Sequence, residues 1–180
     1  SVEIGDANCI REHVTIVGGA GRPTRIGSDN LIMINCAVGA GATVGNHCIF
    51  ANLTDVGAGA TMEDYTHTSG FAAVADGVKV GAYTFIAGYA GIDRDAPPFA
   101  MVQGSPYRVR GINTHKLRRS GFDDEDIRTL KDAFRDLFNG TGNLAEADVV
   151  RRWSRAAADN ASLKRLMDSV RVLAKKGRST

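Results

Sequence analysis

A solenoid of six-residue repeats followed by a helical domain is predicted by three observations. Large apolar residues recur every six positions, a slim residue follows each of them by four, and the spacing turns helical beyond Pro97 and Pro98. The large column runs Ile26, Ile32, Val38, Val44, Phe50, Val56, Met62, Val74, Val80, Ile86 and Ile92, with Thr68 as its one polar member. The slim column holds Asn30, Cys36, Ala42, Cys48, Thr54, Ala60, Thr66, Ala72, Val78, Thr84 and Ala90. Neither the period of 2 of a strand nor the 3.6 of a helix produces this pattern, whereas flat faces joined by corners do. Each large residue is expected to point inward, the slim one to fit near a corner, and Gly27, Gly39, Gly45, Gly57 and Gly81 to supply positive φ at the turns. Three faces per coil place about four coils in residues 26–95, and Ile4, Ile10 and Ile16 begin an earlier one.

The run from Gly18 to Arg25, GGAGRPTR, breaks the period and reads as a loop thrown out of the coil, a common carrier of binding groups. After the prolines, Phe122, Ile127, Leu130, Phe134, Leu137 and Phe138 line one helical face, and Asp123 to Asp126 fill the first turn, where the helix dipole favours acids. Asn139-Gly140 is expected to stop that helix, with further helices over about 144–158 and 160–175. The predicted domains are 1–110 and 111–180.

The 180 residues are 43% hydrophobic and 23% charged, enough for a packed core, and no apolar run approaches the roughly 18 residues of a membrane helix. Three cysteines without a C-x-x-C pair or a secretory signal argue for a reducing compartment, the cytoplasm. Cys36 and Cys48 fall in the slim column and read as packing. The abrupt entry at VEIGD makes a missing upstream segment, N-terminal coils, the expectation, with a genuinely short protein as the alternative. Charge is segregated: residues 1–110 carry 7 Lys and Arg against 10 Asp and Glu, and residues 111–180 carry 15 against 10. A basic C-terminal part favours an acidic partner. Without interleaved aromatics it does not predict nucleic-acid binding, and no histidine spacing predicts a metal site.

IGSDNLIMIN, VGNHCIFAN, DAPPFAMVQGSP, the GIN of Gly111 to Asn113 and the LRRSGF of Leu117 to Phe122 resemble the UDP-N-acetylglucosamine O-acyltransferase family of the lipid A pathway. The resemblance implies a left-handed parallel β-helix, a homotrimer, an active site in the cleft between subunits, and no cofactor. It also implies transfer of a 3-hydroxyacyl chain from acyl carrier protein to the sugar 3-hydroxyl.

Such a transfer needs a base at the hydroxyl. The position matching the family's catalytic His is Ala40, the neighbouring His matches Ala37, and the Asp that orients the base matches Gly41. Two further active-site His positions match Gly59 and Ala75. None of these side chains ionises, so impaired or changed chemistry is expected; the alternatives are a non-catalytic ligand-binding or scaffold trimer, a pseudoenzyme, and an enzyme repurposed around His67 or His13. Gly88 matches the glycine that admits a long acyl chain, although a corner glycine needs no functional reason. Gln103 of the QG segment is a further substrate-binding candidate. Asn113 and Arg119 match nucleotide-sugar contacts, while His115 and Ser120 replace a Glu and a second Arg, with His115 itself a further substrate-binding candidate. Lys116, Arg118 and Arg119 read equally as a solvated helix start.

Candidate replacement bases are His67 and His13. His67 stands in Tyr65-Thr66-His67-Thr68-Ser69, a polar run where the repeat calls for Ile, so either a new site or an internal hydrogen-bond set is expected there, with Asp76 as a possible support for the site. His47 occupies an ordinary turn.

Overall fold

The computed structural model describes residues 1–138 and 147–176. Residues 1–112 form a parallel β-solenoid with three sheets. The first face is built from Val2–Ile4, Thr24–Ile26, Thr43–Val44, Thr61–Met62 and Lys79–Val80. The second stacks Cys9–Ile10, Leu31–Ile32, Ile49–Phe50, His67–Thr68, Phe85–Ile86 and Ala100–Gln103, and an antiparallel strand, Arg108–Ile112, closes it. The third holds Thr15–Ile16, Ala37–Val38, Asp55–Val56, Ala73–Val74 and Gly91–Ile92. The last strand runs across the expected 110/111 division.

Register follows the repeat. Ile49 pairs with His67 and His67 with Phe85, 18 residues apart, while Cys9 pairs with Leu31, 22 apart. The four extra residues are the loop at 18–25. Every member of the large column from Ile26 to Ile92 is buried, and Phe50, Ile32 and Met62 have no exposed surface.

The turns correct one expectation. Gly27, Gly39, Gly45, Gly57 and Gly81 do not carry the positive φ; that falls two residues later, on Asp29, Gly41, His47, Gly59 and Tyr83, with φ between 55° and 71°. The five glycines are required for close approach between coils. A Cβ on Gly39 would lie 2.5 Å from the Ala58 nitrogen, and one on Gly81 2.4 Å from the Pro98 nitrogen.

The left-handed residues make three corner columns. Asp29, His47, Tyr65 and Tyr83 lie between the first and second faces, Asn35, Leu53, Phe71 and Tyr89 between the second and third, and Gly41, Gly59 and Gly77 between the third and first. One ring above the next, spaced by the strand separation, gives stacks of His47 on Tyr65 at 4.7 Å, Tyr65 on Tyr83 at 4.7 Å and Phe71 on Tyr89 at 4.9 Å.

Thr68 resolves as internal hydrogen bonding. Thr54 Oγ1 donates to the Ala51 carbonyl at 2.8 Å, so its single proton is committed and Thr68 Oγ1, 2.6 Å away, must be the donor between the two hydroxyls. Thr68 Oγ1 in turn accepts from the Ala51 N–H at 3.2 Å. Both threonines are buried. Thr54→Val leaves the Thr68 proton without an acceptor and is expected to cost about 1–3 kcal/mol, whereas Thr54→Val with Thr68→Val should recover most of that loss. Urea unfolding at fixed protein concentration checks the order.

Four helices follow: α1 (Thr114–Arg119), α2 (Asp124–Phe138), α3 (Ala147–Ala156) and α4 (Ala161–Lys176), with a 3-10 turn at Ala157–Asp159. The α2 face of Ile127, Leu130, Phe134, Leu137 and Phe138 is buried as its spacing predicts, and Asp124, Glu125 and Asp126 occupy the first turn. The predicted stop at Asn139-Gly140, and residues 144–146 of the next predicted helix, lie outside the described residues. Phe122 packs edge-on against Tyr83 and Phe99. Glu63 ties α4 to the solenoid, accepting from Lys79 at 2.6 Å, Arg165 at 2.9 Å and the Ala82 N–H at 3.0 Å. Burial raises its pKa, but those donors outweigh burial and hold the carboxyl below its ordinary value. Among the described residues, no helix is long and apolar enough to cross a membrane.

Candidate functional site

The 18-residue coil stacks Gly39-Ala40-Gly41, Gly57-Ala58-Gly59 and Ala75-Asp76-Gly77 as one edge, between the third and first faces. Ala40, Gly41, Gly59 and Ala75 therefore stand on three consecutive coils of a single corner, with Ala37 on the adjoining strand. Backbone bonds link the coils: the Gly59 N–H donates to the Ala40 carbonyl at 2.9 Å and the Gly77 N–H to the Ala58 carbonyl at 2.8 Å. Of these corner side chains only Asp76 ionises. Its Oδ1 accepts the Ala58 N–H at 2.8 Å, as Asp64 Oδ1 accepts that of Asn46 on another edge. That is a turn role.

Across this bare edge lies Arg22, from the loop at 18–25. Its Nε donates to the Gly41 carbonyl at 2.7 Å; its Nη2 donates to the same oxygen and to the Gly59 carbonyl at 3.0 Å. A Cβ at Gly41 would sit 3.1 Å from Arg22 Nε, so a side chain there would crowd the guanidinium. Thr24 fixes the root of the loop, donating to the Val17 carbonyl at 2.6 Å and accepting the Gly41 N–H at 2.8 Å. Sequence reasoning missed Arg22. It marked the loop as a carrier of binding groups, but the glycines that receive the guanidinium become visible only when positions 41 and 59 are stacked.

The replacement bases do not gather. His67 projects outward from the second face while Thr68 points into the core, so alternation along the strand splits the polar run. The imidazole meets the Phe85 ring edge-on at 5.3 Å. Burial lowers its pKa, and the Lys116 ammonium lowers it further. Asp76 stands on a different edge and does not support His67. His13 is an exposed turn residue at φ 59°, in the corner column of Asn35, and His47 is an exposed turn residue too. All three cysteines are free; Cys36 and Cys48 are buried, and burial pushes the Cys48 thiol up to about 12.

The binding candidates occupy other edges. Gly88 lies between the second and third faces, where a Cβ would approach the Gly70 carbonyl to 3.3 Å. Gln103 is exposed at the end of its strand, opposite Arg108. Asn113 caps α1, its Oδ1 accepting the Lys116 N–H at 3.2 Å. His115 and Arg119 are exposed on that short helix, and Lys116 Nζ stands 5.4 Å from the centre of the Tyr65 ring. Thus α1 flanks the Tyr65 corner, while Ala40 and Arg22 occupy the next. One chain carries the two sets on separate edges.

Residues 95–179 match the family model described as UDP N-acetylglucosamine O-acyltransferase, domain 2, and residues 23–54 match the bacterial transferase hexapeptide model. UDP-N-acetylglucosamine acyltransferase from Francisella novicida superposes with a TM-score of 0.85 at 29% identity, over 93% of this chain and 62% of that one. The Arabidopsis enzyme gives 0.87 at 29% identity, over 94% and 62%. LpxA from Acinetobacter baumannii gives 0.86 at 30% identity, over 94% of this chain and 67% of its own. The chain belongs to the UDP-N-acetylglucosamine O-acyltransferase family. It spans 62% of the length of the Francisella and Arabidopsis acyltransferases. The superpositions on these acyltransferases span both its solenoid and its helical region.

Proposed function

We propose that this acyltransferase-family chain forms a homotrimer of left-handed β-helices in the cytoplasm, binds an acylated UDP-N-acetylglucosamine in the clefts between copies, and does not run His-based transfer from acyl carrier protein. What carries the reading is the edge of Ala40, Gly41, Gly59 and Ala75, where the Arg22 guanidinium lies in place of an imidazole and its carboxylate partner. A guanidinium stays protonated at any working pH and cannot act as a base. It does offer charge-assisted hydrogen bonds to phosphate or carboxylate oxygens.

The distribution of outward residues supports the trimer. Glu3, Arg25, Thr43, Thr61 and Lys79 make the first face polar. The second presents Leu31, Ile49, Phe85 and Met101 with His67 among them, the third Thr15, Ala37, Ala73 and Gly91 with Asp55 among them, and the edge between them exposes Leu53 (43%), Phe71 (50%) and Tyr89 (75%). A monomer rarely shows such a continuous apolar ridge. Turning it toward a common axis covers it and sets the Arg22 edge of one copy across a cleft from the Lys116 and Asn113 edge of the next. The cleft then narrows toward Gly88, the glycine matched to acyl-chain passage.

The test is calorimetry with UDP-N-acetylglucosamine and its 3-O-acylated product, and a transfer assay with acyl carrier protein on the same preparation. The acylated ligand is expected to bind more tightly, without turnover. Turnover would overturn the missing-base reading, and failure of both ligands to bind would overturn the ligand class.

A further inference from the structure

On the two faces that the trimer reading covers, the outward positions of the two-residue strands are Cys9, Leu31, Ile49, His67 and Phe85 on one, and Thr15, Ala37, Asp55, Ala73 and Gly91 on the other. Only Asp55 and His67 among these can carry opposite charges. Asp55 is exposed between Ala37 and Ala73, its partners in register, with no hydrogen bond or ion pair of its side chain among the described residues. A carboxylate on a small-residue face is costly to cover unless a cation meets it.

We propose that His67 of one copy and Asp55 of the next form an ion pair across the subunit cleft, fixing the register of the trimer. This rests on the trimer reading. The two side chains leave different faces of one chain, so they meet only between copies. Their heights agree. Closed rotation about an axis parallel to the coil leaves every residue at its own level. His67 follows Asp55 by two thirds of an 18-residue coil, which at one strand spacing per coil is a rise of about 3 Å, within the reach of the two side chains.

The pair sets a sign for pH dependence. In the separate chain, burial holds the His67 imidazole below its ordinary pKa, and among the described residues the charged group acting on it is Lys116 of α1; Phe85 and Ile49 flank it in the sheet. An Asp55 carboxylate favours the protonated ring, so the pKa in the trimer lies above that of the free chain. Assembly is then strongest below the free-chain value and weakens as pH rises through the paired one. A histidine buried without a carboxylate gives the opposite trend.

Sedimentation equilibrium of the 180-residue chain, Asp55→Asn and His67→Gln between pH 6 and pH 8 reads this out. Dissociation of the parent is expected to become at least about tenfold easier from pH 6 to pH 8, with a flat profile in His67→Gln and a flat or inverted one in Asp55→Asn. Geometry is read separately: Asp55→Cys with His67→Cys, in a Cys9→Ser background, should be joined into covalent trimers by a short bifunctional thiol reagent, and neither single cysteine should. A trimer whose Asp55→Asn profile equals the parent's, or whose double-cysteine form does not cross-link, overturns the pair and leaves the trimer standing. A chain that is monomeric throughout overturns both.

Discussion

Phe50→Ala is expected to lower the unfolding free energy by about 3–5 kcal/mol, the range for emptying a buried aromatic site. Phe50 is the largest of the side chains with no exposed surface, and its strand is hydrogen-bonded between Ile32 below and Thr68 above. The expectation sits at the upper end for a reason built into solenoids. Each coil touches only the coils beside it, and its strands are held in register on three sheets. Collapse into the void would require one coil to slide against two others, which breaks backbone bonds on every face. The cavity therefore stays open. Denaturant unfolding at a fixed protein concentration measures the loss, and concentration must be fixed because any assembly adds its own free energy to the midpoint. A loss below about 1 kcal/mol would mean that the core relaxes more freely than a coil stack allows.

The same one-dimensional order explains what could be read before any coordinates. A column such as Ile26, Ile32 and Val38 has one interpretation, because no helix or simple strand buries every sixth residue, and the faces follow from it. The α2 stripe from Ile127 to Phe138 was equally plain. The reason for the glycines was not. Gly39 and Gly45 were expected to turn the chain, yet they exist so that the next coil can approach, a relation between residues about 18 apart that no local rule contains. Thr68 was legible as an anomaly and not as an answer, since its partner Thr54 lies 14 residues away. The candidate site divided likewise. The bare positions 40, 41, 59 and 75 followed from the resemblance, but the occupant of that edge came from an aperiodic loop. Nothing in GGAGRPTR tells which way Arg22 turns. Its direction is set by two carbonyls that become available only because Gly41 and Gly59 lack side chains.

Restoring the base tests whether the bare edge is what separates this chain from transfer chemistry. Ala40→His alone is expected to do little, because no carboxylate would orient the ring and Arg22 would hold a cation beside it. Adding Gly41→Asp is sterically feasible on the backbone: φ at 41 is 71°, and Asp is among the residues that enter the left-handed region most readily. The new Cβ would lie 3.1 Å from Arg22 Nε, and the introduced carboxylate would pair with that guanidinium rather than with the imidazole. Arg22→Ala is thus required as the third change. The triple variant is expected to transfer acyl groups from acyl carrier protein to UDP-N-acetylglucosamine at least about 100-fold faster than the parent, the lower bound of what a positioned general base contributes. Its rate should climb with pH and level off above the imidazole pKa, near 6.5 for an unperturbed ring, because only the neutral form accepts the proton. The pH profile separates a working base from a merely repaired fold, which would raise rate or yield without a titration. If the triple variant binds the nucleotide sugar as tightly as the parent and still shows no transfer, the missing base is not the deciding difference. The still-bare positions at Ala37, Gly59 and Ala75 would then be the next ones to restore.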